Sequence, residues 1–172
     1  PSSPPTVSWL NPTSISEIFS MMDQYAGFPI RLSMGSTSLG VTKYYPQAAD
    51  GSDQAVAIIN INGMEQLDQI SVDATNSVVT VGAAVSLSRL IDCLASVKND
   101  MKLQAMVRHL NLVAHPMVRN AASWAGNLGM AQLHPDFPSD VVLLLCAARA
   151  TLTVMHKTGT LTMSIAQFMT SG

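Results

Sequence analysis

Residues 119–140, RNAASWAGNLGMAQLHPDFPSD, decide how this chain is read. Ala121, Ala122, Ser123, Ala125, Gly126 and Asn127 crowd small side chains into a short connection between apolar segments. Small side chains let a backbone approach a flat or charged group, and glycine permits turns that other residues resist. Two readings follow: a ligand-lining loop, or glycines that let helices pack closely. Downstream, Pro138-Ser139-Asp140 has the form of a helix start, with Ser139 as N-cap and Asp140 in the first turn.

Composition bounds what such a loop can serve. The chain has 172 residues and 48% hydrophobic content, enough for a core in one or two small domains. Charged residues make up 12% and the net charge is −2, which leaves no electrostatic footprint for nucleic acid. Lys and Arg total 9 and are scattered, so a bound phosphate must rely on backbone amides. No apolar run is long enough to span a bilayer, and no basic-then-apolar signal opens the chain. The opening PSSPP reads as part of a linker over residues 1–6, and the whole as a domain excised from a larger polypeptide. Cys93 and Cys146 sit in apolar runs without a C-x-x-C pair and are expected to be buried thiols of a cytosolic protein. His109, His115, His134 and His156 show no metal-site spacing, so no metal is expected. The 11 methionines read as adaptable core filling.

Along the chain, Ser14 and Glu17 fit a capping box for a helix through Ile15, Phe19, Met22 and Tyr25, with Gly27 as its stop. Pro29-Ile30-Arg31-Leu32 forms a short strand that runs into the small-residue turn Met34–Gly40. Ala55–Ile59 is a buried, parallel strand candidate. Ile70–Val72 and Val78–Val81 flank a turn-rich stretch, Asp73–Ser77, as a hairpin. Val85-Ser86 opens an amphipathic helix carrying Leu87, Leu90, Ile91 and Leu94, and a second covers Leu103 to Leu112. A third runs from Asp140 to about Arg149, followed by a hairpin around Lys157-Thr158-Gly159. The fold class is therefore α+β: a small parallel α/β subdomain over residues 7–60, then a mainly antiparallel α+β subdomain over 61–172.

Each subdomain offers one small-residue loop, at residues 34–40 and 122–129. Such loops expose consecutive N–H groups and can form concave anion sites. Ser36, Thr37, Ser38 and Ser123 add short hydroxyls. Neither a P-loop nor G-x-G-x-x-G occurs, and no catalytic Ser/His/Asp arrangement is present, so any redox chemistry belongs to a cofactor. On pattern alone, Asp136 is a polar residue ahead of the helix at Asp140, Trp124 a core aromatic, and Arg119 and Asn120 turn residues that satisfy local carbonyls.

RLSMGSTSLG (31–40) resembles the first flavin-binding loop of the xanthine dehydrogenase and aldehyde oxidase family, and VRNAASWAGNLGMAQLHPDFPSD (118–140) is similar to the second. Trp9-Leu10-Asn11-Pro12 and Val81-Gly82-Ala83 fit as well, so the likeness runs from about Val7 to Phe168. The resemblance implies the FAD-binding fold of the p-cresol methylhydroxylase and vanillyl-alcohol oxidase type. It implies main-chain contacts to the cofactor pyrophosphate from Leu32, Ser33, Met34, Gly35, Ser36, Thr37, Ser38 and Leu39. A second set falls on Ser123, Trp124, Ala125, Gly126 and Asn127, with Asp136 at the adenosine ribose and Val113 at a further, usually aromatic, contact. No catalytic residue is implied.

The implied function is electron transfer in a molybdenum hydroxylase. Electrons pass from iron–sulfur clusters, reduced by a molybdopterin centre, to FAD here and on to NAD or O2. The iron–sulfur and molybdenum domains belong to the same polypeptide, a cytoplasmic or peroxisomal homodimer with no nucleic-acid or membrane partner. The alternative is a non-catalytic docking module that has lost tight flavin binding. Two departures from the family pattern favour it, Gly35-Ser36-Thr37 for the usual Gly-Asn-Thr and Val113 for an aromatic; a third, Ala125-Gly126-Asn127 for Gly-Gly-Asn, adds a methyl where backbone and cofactor approach. The family's flavin region also continues into a further subdomain, so the chain by itself is expected to bind FAD weakly.

Overall fold

Strand β3 (Ala57–Asn60) is central to a three-stranded sheet, pairing parallel with β1 (Ser8–Leu10) on one side and β2 (Ile30–Ser33) on the other. The computed structural model describes residues 7–41, 43–44, 56–73 and 78–171. Ala57, Ile58 and Ile59 are all buried, as a central parallel strand requires. Ala55, read as part of this strand, lies outside the described residues.

Helix α1 (Ile15–Gln24) makes the crossover from β1 to β2. Ser14 caps it by accepting from the Glu17 N–H. The capping box closes differently from the expected form: the Glu17 carboxylate reaches back to the Thr13 N–H at 2.6 Å, not to the N-cap residue's own amide. That hydrogen bond holds the Glu17 carboxyl below the usual glutamate range. The helix buries Ile18, with Met21 and Met22 beside it, against Ile59, Ile61, Met64 and Ala84. Gly27 follows at φ 89, a left-handed position suited to glycine.

The rest of the described chain is a helical layer with two antiparallel hairpins. β4 (Ile70–Asp73) pairs with β5 (Val78–Val81), and the turn expected between them, residues 74–77, lies outside the described residues. Helix α2 (Leu87–Ser96) buries Leu87, Leu90, Ile91 and Leu94 as their spacing requires, with Ser86 as N-cap. Helix α3 (Met101–Leu110) starts two residues before the expected Leu103, because the Asp100 carboxylate caps the N–H groups of Lys102 and Leu103. Ser139 caps α6 (Asp140–Ala147), and β6 (Thr151–His156) pairs with β7 (Gly159–Ser164), as their sequences suggest.

Three helices lie outside the elements read from the sequence. α4 (Pro116–Ala121) and α7 (Ile165–Thr170) have six residues each, too few to show a period. Their signals are Pro116 at the first turn and the Ser164–Gln167 capping box. The third is α5 (Trp124–Leu133), which contains most of the small-residue stretch. Its apolar residues lie all round, with Leu128, Met130 and Ala131 buried, and the helix packs on α6 and α7. A helix covered on several sides gives no amphipathic signal. The cysteines differ too: Cys146 is exposed and Cys93 half-buried, with burial pushing the Cys93 thiol up. Helix α6 turns Val141 inward, which leaves Cys146 on its outer face.

Two glycines set how closely the layers meet. A Cβ on Gly35 would stand 2.1 Å from the Ala121 carbonyl oxygen, and one on Gly82 would stand 2.1 Å from that of Leu67. Gly82 also accepts the Trp124 indole N–H at 2.8 Å, tying α5 to the end of β5.

Two outcomes are expected from thermal melts. Gly35→Ala forces backbone apart and costs about 1–3 kcal/mol, whereas Gly129→Ala, a helical position with nothing within 4 Å of the new Cβ, stabilises by roughly 0.5–1 kcal/mol. Glu17→Gln lowers Tm at neutral pH. The folded-state carboxyl is depressed, so its contribution is complete above the ordinary glutamate value and is lost as pH falls through the lowered one. The difference in Tm between Glu17→Gln and wild type should therefore close in acid.

Candidate functional site

The first loop begins where β2 ends. Ser33 is buried, and its hydroxyl meets that of Ser36 at 2.6 Å. Ser36 holds a left-handed conformation, φ 51 and ψ 26, uncommon for a residue with a side chain. A 3-10 turn over Thr37–Gly40 follows, closed by Leu39 N–H to Ser36 O at 3.2 Å. The N–H groups of Gly35, Ser36, Thr37 and Ser38 meet no backbone acceptor among the described residues. Successive amides in a turn of this kind form the concave sites that hold anions.

The second segment is a helix start, which corrects the expectation of a loop at 122–129. Ala122 and Ser123 are extended, and Ser123 caps α5 by accepting the Gly126 N–H at 3.0 Å. Ser123 is buried and forms a β-bridge with Ser86, itself the N-cap of α2. Leu87 N–H donates to Ala122 O at 2.9 Å beside it. Two capped ten-residue helices thus begin side by side, and the positive ends of their dipoles lie close together. The contact of Gly35 with Ala121 brings the first loop against this point.

The expected site residues separate into groups. Gly35, Ser36, Thr37 and Ser38 carry the open amides; Leu32 is exposed, while Met34 packs with the first apolar cluster. Ala125 and exposed Gly126 lie in the first turn of α5. The Trp124 side chain belongs to the second apolar cluster, so its indole is structural, as the pattern-based reading had it. Asn127 is engaged internally, its carboxamide oxygen accepting from the Ser139 hydroxyl that caps α6. Val113 stands apart: it packs on the second cluster, and its carbonyl accepts from Arg119 at 2.9 Å. Arg119 also donates to Asn111 and Ala114 carbonyls, the local role expected of it.

Asp136 lies on the exposed turn between α5 and α6 and forms an ion pair with Lys43, just beyond the first loop. This hydrogen bond holds the Asp136 carboxyl below its ordinary value and raises the Lys43 ammonium above its own. Lys43 and Tyr44 were missed from sequence. The partners stand 93 positions apart, and no local pattern links them.

The donor set suits a diphosphate: a row of amides, two helix starts and few basic side chains, with a carboxylate at one end to accept hydroxyls. Among the described residues no helix is long and apolar enough to cross a membrane.

Residues 5–171 match the family model described as FAD binding domain in molybdopterin dehydrogenase. The chain is 31% identical over 147 residues to indole-3-acetaldehyde oxidase of Arabidopsis thaliana, covering 86% of this chain and 10% of that protein. It is also 31% identical over 159 residues to aldehyde oxidase 1 of Bos taurus, covering 89% of this chain and 11% of that one. The chain thus spans about a tenth of the length of these oxidoreductases. Among solved structures, quinoline 2-oxidoreductase from Pseudomonas putida 86 aligns with a TM-score of 0.76 at 23% identity, over 96% of this chain and 53% of that one. CO dehydrogenase from Oligotropha carboxidovorans aligns at 0.72 and 20%, over 95% and 52%. At these identities the structural likeness is one of fold. The sequence match over nearly the whole chain makes it a member of the family of FAD-binding domains of molybdopterin dehydrogenases.

Proposed function

We propose that this chain is the FAD-binding electron-transfer domain of a molybdenum hydroxylase of the aldehyde oxidase or xanthine dehydrogenase type. The observation that carries this reading is the seating of Gly35 on Ala121, which sets the amide row of Gly35–Ser38 beside the start of α5. Leu32–Leu39 and Ser123–Asn127 flank the pyrophosphate, Asp136 accepts a ribose hydroxyl, and Val113 makes a further contact to the cofactor. FAD, when bound, supplies the redox chemistry, relaying electrons from iron–sulfur clusters in other domains to NAD or O2. The protein's own part is to neutralise the diphosphate with amides and helix dipoles and to hold both segments rigid. Trp124 serves the second task by anchoring α5 to Gly82.

The reading includes the fold type of p-cresol methylhydroxylase and vanillyl-alcohol oxidase, with a linker at 1–6 and subdomains at 7–60 and 61–172. Two separate apolar clusters support that division, although the first extends forward to Ile61, Met64 and Ala84. It also includes iron–sulfur and molybdenum domains in the same polypeptide, a homodimeric full protein, and a cytoplasmic or peroxisomal setting. The second reading, a docking module without tight flavin binding, is favoured by one feature: the Gly126 amide and the Asn127 carboxamide oxygen already have internal partners.

An FAD titration followed by flavin fluorescence and visible absorbance separates them. The full-length protein is expected to bind saturably, with Gly126→Trp weakening binding by about tenfold or more. The 172-residue chain is expected to bind more weakly than the full-length protein. A flat titration of the full-length protein would establish the docking module instead.

A further inference from the structure

Beyond the first loop the chain grips the turn before α6 with two adjacent side chains. Tyr44 places its ring 4.7 Å from that of His134 and, edge-on, 5.7 Å from that of Phe137. Its hydroxyl donates to the Asp136 carbonyl at 3.3 Å. Lys43 lies over the same ring, with its ammonium 4.9 Å from the centroid, and bonds Asp136 Oδ2. Lys43 thus takes the Oδ2 side of the carboxylate, and His134 is near enough to favour its charged form as well. Both ionic side chains are largely exposed, so the pair adds little to folding stability. Its geometry is nevertheless fixed on three sides: by the aromatic packing of Tyr44, by the cation–π contact, and by the Tyr44 hydroxyl. Tyr44 N–H donates to Val41 O at 3.0 Å, so this grip continues directly from the 3-10 turn of the amide row.

We propose that Lys43 is a positioning residue: it orients the Asp136 carboxylate across the two halves of the site, leaving one oxygen directed to a ribose diol. The inference rests on the reading of Asp136 as the ribose contact. An unrestrained surface aspartate samples several rotamers and must be ordered when ligand binds, which weakens affinity. A lysine tethered on Tyr44 removes much of that ordering from the binding step. It also joins the two ends of the site, since displacement of the first loop carries Lys43 away from Asp136.

The test is FAD affinity of the full-length protein for Lys43→Met, Lys43→Arg, Asp136→Asn and the double variant Lys43→Met/Asp136→Asn. Lys43→Met is expected to weaken FAD about three- to fivefold and Lys43→Arg to stay near wild type. In the Asp136→Asn background, Lys43→Met should add no further loss. The melting temperature of Lys43→Met should stay close to wild type, which a merely structural role would not allow. An equal loss from Lys43→Met in both backgrounds would overturn the proposal, because Lys43 would then act on the ligand directly. So would unchanged affinity in Lys43→Met when Asp136→Asn binds weakly, an outcome that leaves the ribose role of Asp136 intact. Unchanged affinity in Asp136→Asn would instead remove the ribose reading, and this inference with it.

Discussion

Gly35 has no side chain because the Ala121 carbonyl occupies the space where one would be. Much of the site depends on that steric fact. The parallel sheet of β1, β3 and β2 delivers Gly35 at the end of β2, and the short helix α4 delivers Ala121 from the other layer. Ser33, buried below, steadies the left-handed Ser36 through its hydroxyl and keeps the following amides turned out of the sheet's hydrogen bonding. A second close approach, Gly82 on Leu67, works in the same way at the end of β5, and the Trp124 indole then locks α5 to it. Two backbone-to-backbone seats thus define where α5 begins relative to the first loop.

The electrostatics follow from how few charges the protein carries. With 9 basic residues in the chain, a site that gathers negative charge must draw on the backbone, through open amides and through helices that start close to it. Two of the lysines have another use. Lys43 reaches Asp136 and Lys157 reaches Asp23, each joining the sheet layer to the helical layer. Exposed pairs of this kind contribute little to stability.

The small-residue stretch at 119–133 folds largely into helix α5, with Gly126 in its first turn and Gly129 further along it. Neither glycine is required by helix packing: a Cβ on Gly129 would meet nothing within 4 Å, and one on Gly126 would meet only the capping Ser123 hydroxyl, at 3.0 Å. The same residues leave the start of α5 open to a close-approaching group. Asn127 of the same helix accepts from the hydroxyl of Ser139, the N-cap of α6, and so ties the two helices together.

Local chemistry made several elements legible in the sequence. Ser14, Ser86 and Ser139 cap the helices they were expected to start, the Leu87–Leu94 period faces the core, and the strands of both expected hairpins pair antiparallel. The motif at 118–140 carried the family as well. What tertiary structure alone decided is long-range: the helix α5 covered on several sides, the seat of Gly35 on Ala121, the packing of half-buried Val113 against the second cluster, and the reach of Lys43 to Asp136. Capping, turn and amphipathic signals act within a few residues, so they leave a mark on neighbouring letters. A contact between distant segments depends on how whole layers pack, and it leaves no such mark on either segment.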